Sequence, residues 1–391
     1  MKNNKNLEFA INLFDQKLYS DCIRECSMVI EQEANNAFAY EIKGMALYQM
    51  EDIRNAIKNF DTAISLNSES ARAYYYRGIC YSSDLRATST EPVAFDKPTS
   101  ISLKGFKLDN DIIENFKYAL NDENTAIELD NDNYSAYGAR GEIYFWLENY
   151  ESALTDLNTA IKYCRDYQEY YITRGMIYFI FKNYDLAIKD LTQAVKLNSN
   201  NHSAYDIRGR SYYMKKEYDS AIVDLTIALK LNPANDMAYY YRGCCYYYKD
   251  DYKNAIADFD KCTNYNSQNY SAYDYKARCH WFLGDFEQTI QDENISINYN
   301  DKNGEAFDFR GRAFYFLKDY QNAINDTGKA IELGVNNFSV FDCRGRSFFY
   351  LKQYDNAINE FKRALKINPN NNQLIEFLKI VYNEMHENGY V

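Results

Sequence analysis

Asp206-Ile-Arg-Gly-Arg210 opens a helix–turn–helix unit, and its glycine is one beat of a regular count. Glycines preceded by a basic residue stand at Gly141, Gly175, Gly209, Gly243, Gly311 and Gly345, with Ala277 filling the one gap, so each step is 34 residues. The same step links Ala10 to Gly44 and Gly44 to Gly78. From Gly78 to Gly141 it is 63, one repeat plus 29 inserted residues. Fixed-period self-similarity outranks the two or three compact domains that a chain of 391 residues would otherwise suggest. It predicts a single all-α solenoid over 3–388, with units at 3–36, 37–70, 71–133 (carrying an insertion at about 86–110), 134–167, 168–201, 202–235, 236–269, 270–303, 304–337 and 338–371, and a cap helix at 372–388.

The unit at 202–235 is uninterrupted and serves as the template. Ala204, Tyr205, Arg208, Gly209, Tyr212 and Tyr213 mark a first helix; Tyr218, Ala221, Ile222, Leu225, Ala228, Leu229 and Leu231 lay one apolar stripe on a second. Lys215 to Glu217 turns the chain, and Asn232-Pro233 stops it. Gly209 set against Ala221 and Ala228 is expected to let the two backbones approach.

These residues resemble the tetratricopeptide repeat, which places an aromatic four before the glycine, another three after it, and alanines downstream. Tyr205, Gly209, Tyr212, Ala221, Leu225, Ala228 and Pro233 all match, and the likeness covers 3 to about 388. The sequence departs from the pattern in three ways. The leucine before the glycine is Arg or Lys, the tryptophan is Tyr or Phe, and the closing proline remains only at Pro233 and Pro369. The resemblance implies a right-handed α-α superhelix whose first helices line a concave groove for a partner protein.

The ends and the insertion depart from the template. Ala10 and Cys22 replace the glycine and the first alanine of the first unit, as a terminal repeat with one open side can tolerate. After the tenth unit, Leu374, Phe377, Leu378, Val381 and Met385 form the face of a capping helix. In the third unit the first helix should end near Asp84 and the second resume near Ile112. Between them, Ile101-Ser-Leu103 and Phe106-Lys-Leu108 alternate around Lys104-Gly105 like a short hairpin, and with Val93 and Phe95 they should seek cover against the solenoid.

Composition narrows the function. Forty-four Lys and Arg against 56 Asp and Glu leave a net charge of −12, which argues against nucleic acid and for protein partners. The amino terminus lacks an apolar core and no apolar run reaches membrane-spanning length, so a cytoplasmic chain is expected. Nine cysteines at helix-interior positions read as reduced thiols. Cys22 and Cys26, four apart, could share a metal, but they occupy core positions. No catalytic constellation, phosphate cradle or cofactor motif appears, and His202, His280 and His386 lie in different units.

Comparison among units separates scaffold from site. A basic residue precedes nearly every glycine, and an acid recurs sixteen later at Asp122 (after the insertion), Asp156, Asp190, Asp224, Asp258, Asp292, Asp326 and Glu360, which predicts repeated structural ion pairing. The resemblance places the residues three before, and one, four and five after the glycine on the groove. In the carboxy-terminal half the first two read Asp206 and Arg210, Asp274 and Arg278, Asp308 and Arg312, Asp342 and Arg346, with aromatic Tyr213, Trp281, Tyr315 and Phe349 at the third. In the amino-terminal half they include Tyr75, Ile79, Ile172 and Met176. The Asp and Arg ladder reads either as helix stabilisation, weak for an exposed pair, or as a guanidinium row for a partner's carboxylates and carbonyls. On the second reading, charge reversal at Arg278 and Arg312 weakens binding and leaves stability nearly unmoved. RNA binding by the Arg and Tyr rows, and service as a regulatory subunit of an enzyme, are the alternatives.

Overall fold

The computed structural model describes residues 2–88 and 110–387, and among them every regular element is an α-helix. Two compact units divide the chain, the first running to Ser211 and the second from Tyr212 to the carboxyl end.

The first unit is built of helical hairpins: α1 (Lys2–Asp15) with α2 (Tyr19–Gln32), α3 (Ala37–Gln49) with α4 (Ile53–Leu66), and α5 (Ala71–Thr88) with α6 (Asn110–Leu129). α7 (Tyr134–Trp146) with α8 (Tyr150–Tyr163) and α9 (Gln168–Ile180) with α10 (Tyr184–Leu197) complete it, followed by the part of α11 (His202–Met214) that ends at Ser211. The second unit continues from Tyr212 through α12 (Tyr218–Leu231). Its hairpins are α13 (Asp236–Tyr248) with α14 (Tyr252–Tyr265), α15 (Tyr270–Leu283) with α16 (Phe286–Tyr299), α17 (Gly304–Phe316) with α18 (Tyr320–Glu332), and α19 (Phe338–Tyr350) with α20 (Tyr354–Ile367). α21 (Asn372–Glu387) packs on α20, burying Leu374, Val381 and Met385.

Turn chemistry sets the period. Between the helices of a hairpin, the residue seven after the glycine position takes a left-handed backbone: Glu51, Glu148, Lys182, Lys216, Asp250, Lys318 and Lys352 lie at φ of 58° to 65°, and Gly284 at 81°. The next residue is the N-cap of the second helix, and Asn149 accepts from Ser152 N and Asp285 from Gln288 N, whereas Glu217 and Gln353 make no such side-chain bond. Between hairpins the chain is turned by Asn-x-x-Asn, with a proline inside it at Pro233 and without one in the neighbouring units. Asn232 Oδ1 accepts from Ala234 N, which bends the chain out of the helix, and Asn235 Oδ1 accepts from Ala238 N at 2.9 Å to start the next. The pattern repeats at Asn198 and Asn201, Asn266 and Asn269, and Asn300 and Asn303, so proline is dispensable there. Asn235→Ala is expected to lower unfolding free energy by about 1 kcal/mol, read by denaturant titration.

Packing refines the sequence reading of the glycines. A methyl group at Gly175 would come within 2.9 Å of Leu191 Cγ, and within 3.5 Å of the Ala187 carbonyl oxygen. Glycine therefore chiefly makes room for the bulky residue sixteen later, the fully buried Phe60, Leu157, Leu191, Phe259 or Phe361, while the alanine twelve later brings its backbone close.

The recurrent basic residues form the expected pairs and more. Arg140 donates to both oxygens of Asp156 at 2.7 and 2.9 Å, and its third arm reaches Asn124 of the preceding hairpin at 2.8 Å. Arg174 does the same with Asp190 and Asn158, Arg242 with Asp258 and Thr226, and Arg310 with Asp326 and Asn294. Arg77 keeps the scheme across the insertion, joining Asp122 and Asp61, and Lys276 bridges Asp260 and Asp292. One guanidinium thus ties three helices of two successive hairpins, a planar fork suited to bidentate carboxylate binding.

The first helix of the third unit runs four residues past Asp84, to Thr88, and the second begins at Asn110, two before Ile112. The insertion read at about 86–110 is therefore helical at both margins. The expected hairpin at 101–108, and its packing on the solenoid, fall outside the described residues.

Candidate functional site

Within each unit, first helices approach the first helices of the neighbouring hairpins: α1, α3, α5, α7 and α9 in one, and α13, α15, α17 and α19 in the other. No comparable approach joins successive second helices among the described residues. A stack whose first helices lie closer together than its second helices bends toward the first, so their outward side is the inner face of each unit.

On that face of the second unit, the structure brings Arg278, Phe309, Arg312 and Trp281 into one stack. Arg278 donates to Asp274 at 2.9 and 3.1 Å and lies over Tyr275 and Phe309, 5.4 and 4.9 Å from the ring centres. Arg312, 3.5 Å from Asp308, is held between Trp281 and Phe309 at 4.2 and 4.6 Å. Asp274 and Asp308 are 5% and 1% exposed. Arg346 pairs with Asp342 at 2.9 Å and covers Phe377 of α21 at 4.4 Å; it is the most accessible rung. In α13 the equivalent positions hold Tyr240 and Cys244, which interrupt the ladder. In the first unit Asp206 and Arg210 are both buried, with Arg210 Nε donating at 3.0 Å.

The ladder is therefore not an open row of guanidinium donors. Each arginine is already neutralised by its own aspartate, and the two central ones are also clamped between rings, so reversing their charge strikes packing as well as any partner. The aromatic positions support the same layer. Tyr213 meets Tyr241 edge-on at 5.2 Å, Phe349 packs on Phe377 at 5.1 Å, and burial pushes the Tyr315 hydroxyl up to about 12.

In the first unit, Ile172 and Met176 of α9 join Phe145 and Trp146 of α7 around a recess with room for about 100 Å³, and Glu142 and Glu169 stand at its edge with Thr173. Tyr75 and Ile79 of α5 are half-buried and do not line it. Tyr75 instead packs edge-on against Tyr76 at 5.2 Å, and burial raises its hydroxyl strongly.

Two buried carboxyls escaped the sequence reading. Glu123 of α6 and Glu293 of α16 are fully buried where other units place Leu157, Leu191, Leu225, Phe259 and Phe361. A methyl group at Gly78 would come within 2.7 Å of Glu123 Oε1, so this acid fills the space beside the glycine as leucine does elsewhere. Burial pushes both carboxyls well above the usual range, and the neighbouring Asp122 and Asp274 push the same way. Aligning the units sixteen residues after the glycine would have revealed them.

Cys22 and Cys26 lie one turn apart in α2 and are fully buried. Among the described residues no group of three or more His, Cys, Asp or Glu is placed to hold a metal ion, and no helix is long and apolar enough to cross a membrane.

Models of the family described as tetratricopeptide repeat match residues 43–83, 134–167, 168–201, 208–269 and 338–371. The chain belongs to the tetratricopeptide-repeat family. A comparison with curated proteins finds no match. Similar solved structures include YrrB, described as a tetratricopeptide-repeat protein with an unusual peptide-binding site, at 19% identity, covering 48% of this chain and 97% of that one with a TM-score of 0.45. The APC/C hetero-tetramer Cut9–Hcn1 is similar at 14% identity over 97% of this chain and 96% of that one, TM-score 0.47. A repeat protein of Parabacteroides merdae is similar at 20% identity over 64% and 98%, TM-score 0.44.

Proposed function

We propose that this tetratricopeptide-repeat chain is a non-enzymatic scaffold that holds a segment of a partner protein, a peptide or a helix, on the inner faces of its first helices. The recess between α7 and α9 carries the reading: a well-packed helical layer leaves an apolar opening at Ile172 and Met176 on the side that curvature makes concave. Tyr75 and Ile79 extend that contact in the first unit. In the second, Arg346, Tyr315 and Phe349 offer the accessible contacts, with Trp281 and the buried Asp and Arg pairs behind them. Nine free thiols support work in a reducing, cytoplasmic setting.

The ion-paired state of the ladder and the net charge of −12 favour protein over RNA. A photo-crosslinking residue at Thr173, on the recess, should capture polypeptide, whereas the same residue at Thr155, on the exposed side of α8, should not. Equal yields from the two sites, or adducts that nuclease removes, would overturn the scaffold reading.

A further inference from the structure

We infer that the turns of the last three hairpins form a docking edge for a second copy of this chain, the two copies running antiparallel across a two-fold axis at the turn between α17 and α18. The inference does not depend on the inner-face reading above, since it uses the turns at the ends of the first helices.

Each of these turns carries an aromatic residue followed by leucine: Phe282-Leu283, Phe316-Leu317 and Tyr350-Leu351. All six are between 37% and 51% exposed. Ring contacts join the turns into one strip. Phe286 at the start of α16 stacks on Phe316 at 4.6 Å, Tyr320 at the start of α18 stacks on Tyr350 at 4.7 Å, and Tyr252 at the start of α14 backs Phe282 at 5.1 Å. Stacking of this kind holds the exposed rings in place, so covering them costs little side-chain entropy. In the two preceding turns lysine takes the leucine position, at Lys215 and Lys249, and Lys249 is bound to Asp219 at 2.6 Å. The apolar strip therefore stops at the third turn from the end. Single apolar residues scattered over a surface are ordinary, but six at the same two positions of three successive turns form a contiguous apolar band of the kind that marks an interface.

Charge selects the occupant. The residues that follow the leucines read Gly284-Asp285, Lys318-Asp319 and Lys352-Gln353, so the strip is acidic at one end, balanced in the middle and basic at the other. All four of these charged residues are exposed. Asp285 uses Oδ1 to accept from Gln288 N, and its Oδ2 stands 3.9 Å from the His280 ring. The next acid of α20, Asp355, lines a separate recess between α20 and α21. A two-fold axis at the middle turn sets Asp285 of each copy against Lys352 of the other and Lys318 against Asp319, and no charge meets its like. Side by side in the same direction, the two acidic ends would instead face each other. A strip that complements itself under a two-fold rotation is what an isologous dimer requires. Two such strips bury on the order of 1,000 Å² between them, at the lower bound for a specific interface, so the dimer is a weak one.

The test is sedimentation equilibrium of the full chain from about 1 to 300 µM, where a weak dimer passes from minor to major species. Leu317→Lys, which puts a cation from each copy at the axis, should weaken association at least about tenfold with an unchanged melting temperature. Lys352→Glu should weaken it about as much by facing Asp285, and Asp285→Asn added to Lys352→Glu should recover most of the loss, because asparagine keeps the cap of α16 while removing the repulsion. A chain that is monomeric throughout, a dimer indifferent to Leu317→Lys, or one that tolerates Lys352→Glu would overturn the inference. Phosphatidylserine vesicles run alongside: a monomeric chain that sediments with them, and no longer does so as Leu317→Lys, would assign the strip to a lipid surface and overturn it as well.

Discussion

Arg278→Glu combined with Arg312→Glu is expected to melt the second unit far below the wild-type temperature, with or without a partner present. Arg278 answers Asp274 and lies near the fully buried Glu293, so reversal would set three carboxyls against one another. Arg312 is packed between Trp281 and Phe309, and a shorter acid there would leave Asp308 buried without its cation and two rings without their filler. Breaking one buried pair by removing a partner costs roughly 3–5 kcal/mol, so the double variant should lose on the order of 5 kcal/mol or more. Because a repeat array unfolds locally, hydrogen exchange should rise across α15 to α17 while α3 to α9 stay protected. An unchanged melting curve would mean that these arginines are surface groups with little part in packing.

The opposite sign is expected of Glu293→Leu and Glu123→Leu. Both carboxyls titrate above their unfolded values because burial disfavours the charged form. The folded chain then binds protons more tightly than the unfolded chain, so their stabilising contribution is complete below the unfolded value of about 4.3 and is lost as pH rises through the folded value. Wild-type stability should therefore decline from about pH 4.3 upward. Leucine, already used at this position in Leu157, Leu191 and Leu225, removes the titration and fills the same space. A gain of about 1–4 kcal/mol near neutrality is expected, in line with apolar replacement of buried charge. Melting curves between pH 5 and 9 check it: the double leucine variant should be flatter than the wild type as well as higher. A parallel offset with no change of slope would show that the gain comes from packing alone.

Legibility followed the repeat. The 34-residue step and the apolar stripe on the second helix were readable because each unit presents the same positions, and positions needed by the architecture recur. The pairing of Arg140 with Asp156 and of Arg174 with Asp190 was readable for the same reason. Glu123 and Glu293 break the recurrence at a position where other units place leucine or phenylalanine, and recurrence marks what the architecture needs but not what departs from it. The helices reach two to four residues further into the insertion than the sequence reading because Asp84-Leu-Arg-Ala-Thr88 carries no proline or glycine to stop α5.

The sequence by itself determined the all-α repeat, its turns and its inter-helix ion pairs, because helical period and recurrent spacing follow from local backbone geometry and are copied in every unit. Only the tertiary structure decided which inner-face groups are available. Asp274 and Arg278 share one face of a helix by spacing alone, but whether that face is open depends on the rings that neighbouring first helices pack over it: Phe309 of α17 on Arg278, and Trp281 of α15 with Phe309 on Arg312. Likewise Ile172 and Met176 form a recess only because α7 brings Phe145, Trp146 and Glu142 beside them, a meeting of residues some thirty positions apart that the side-chain volumes on both helices settle together.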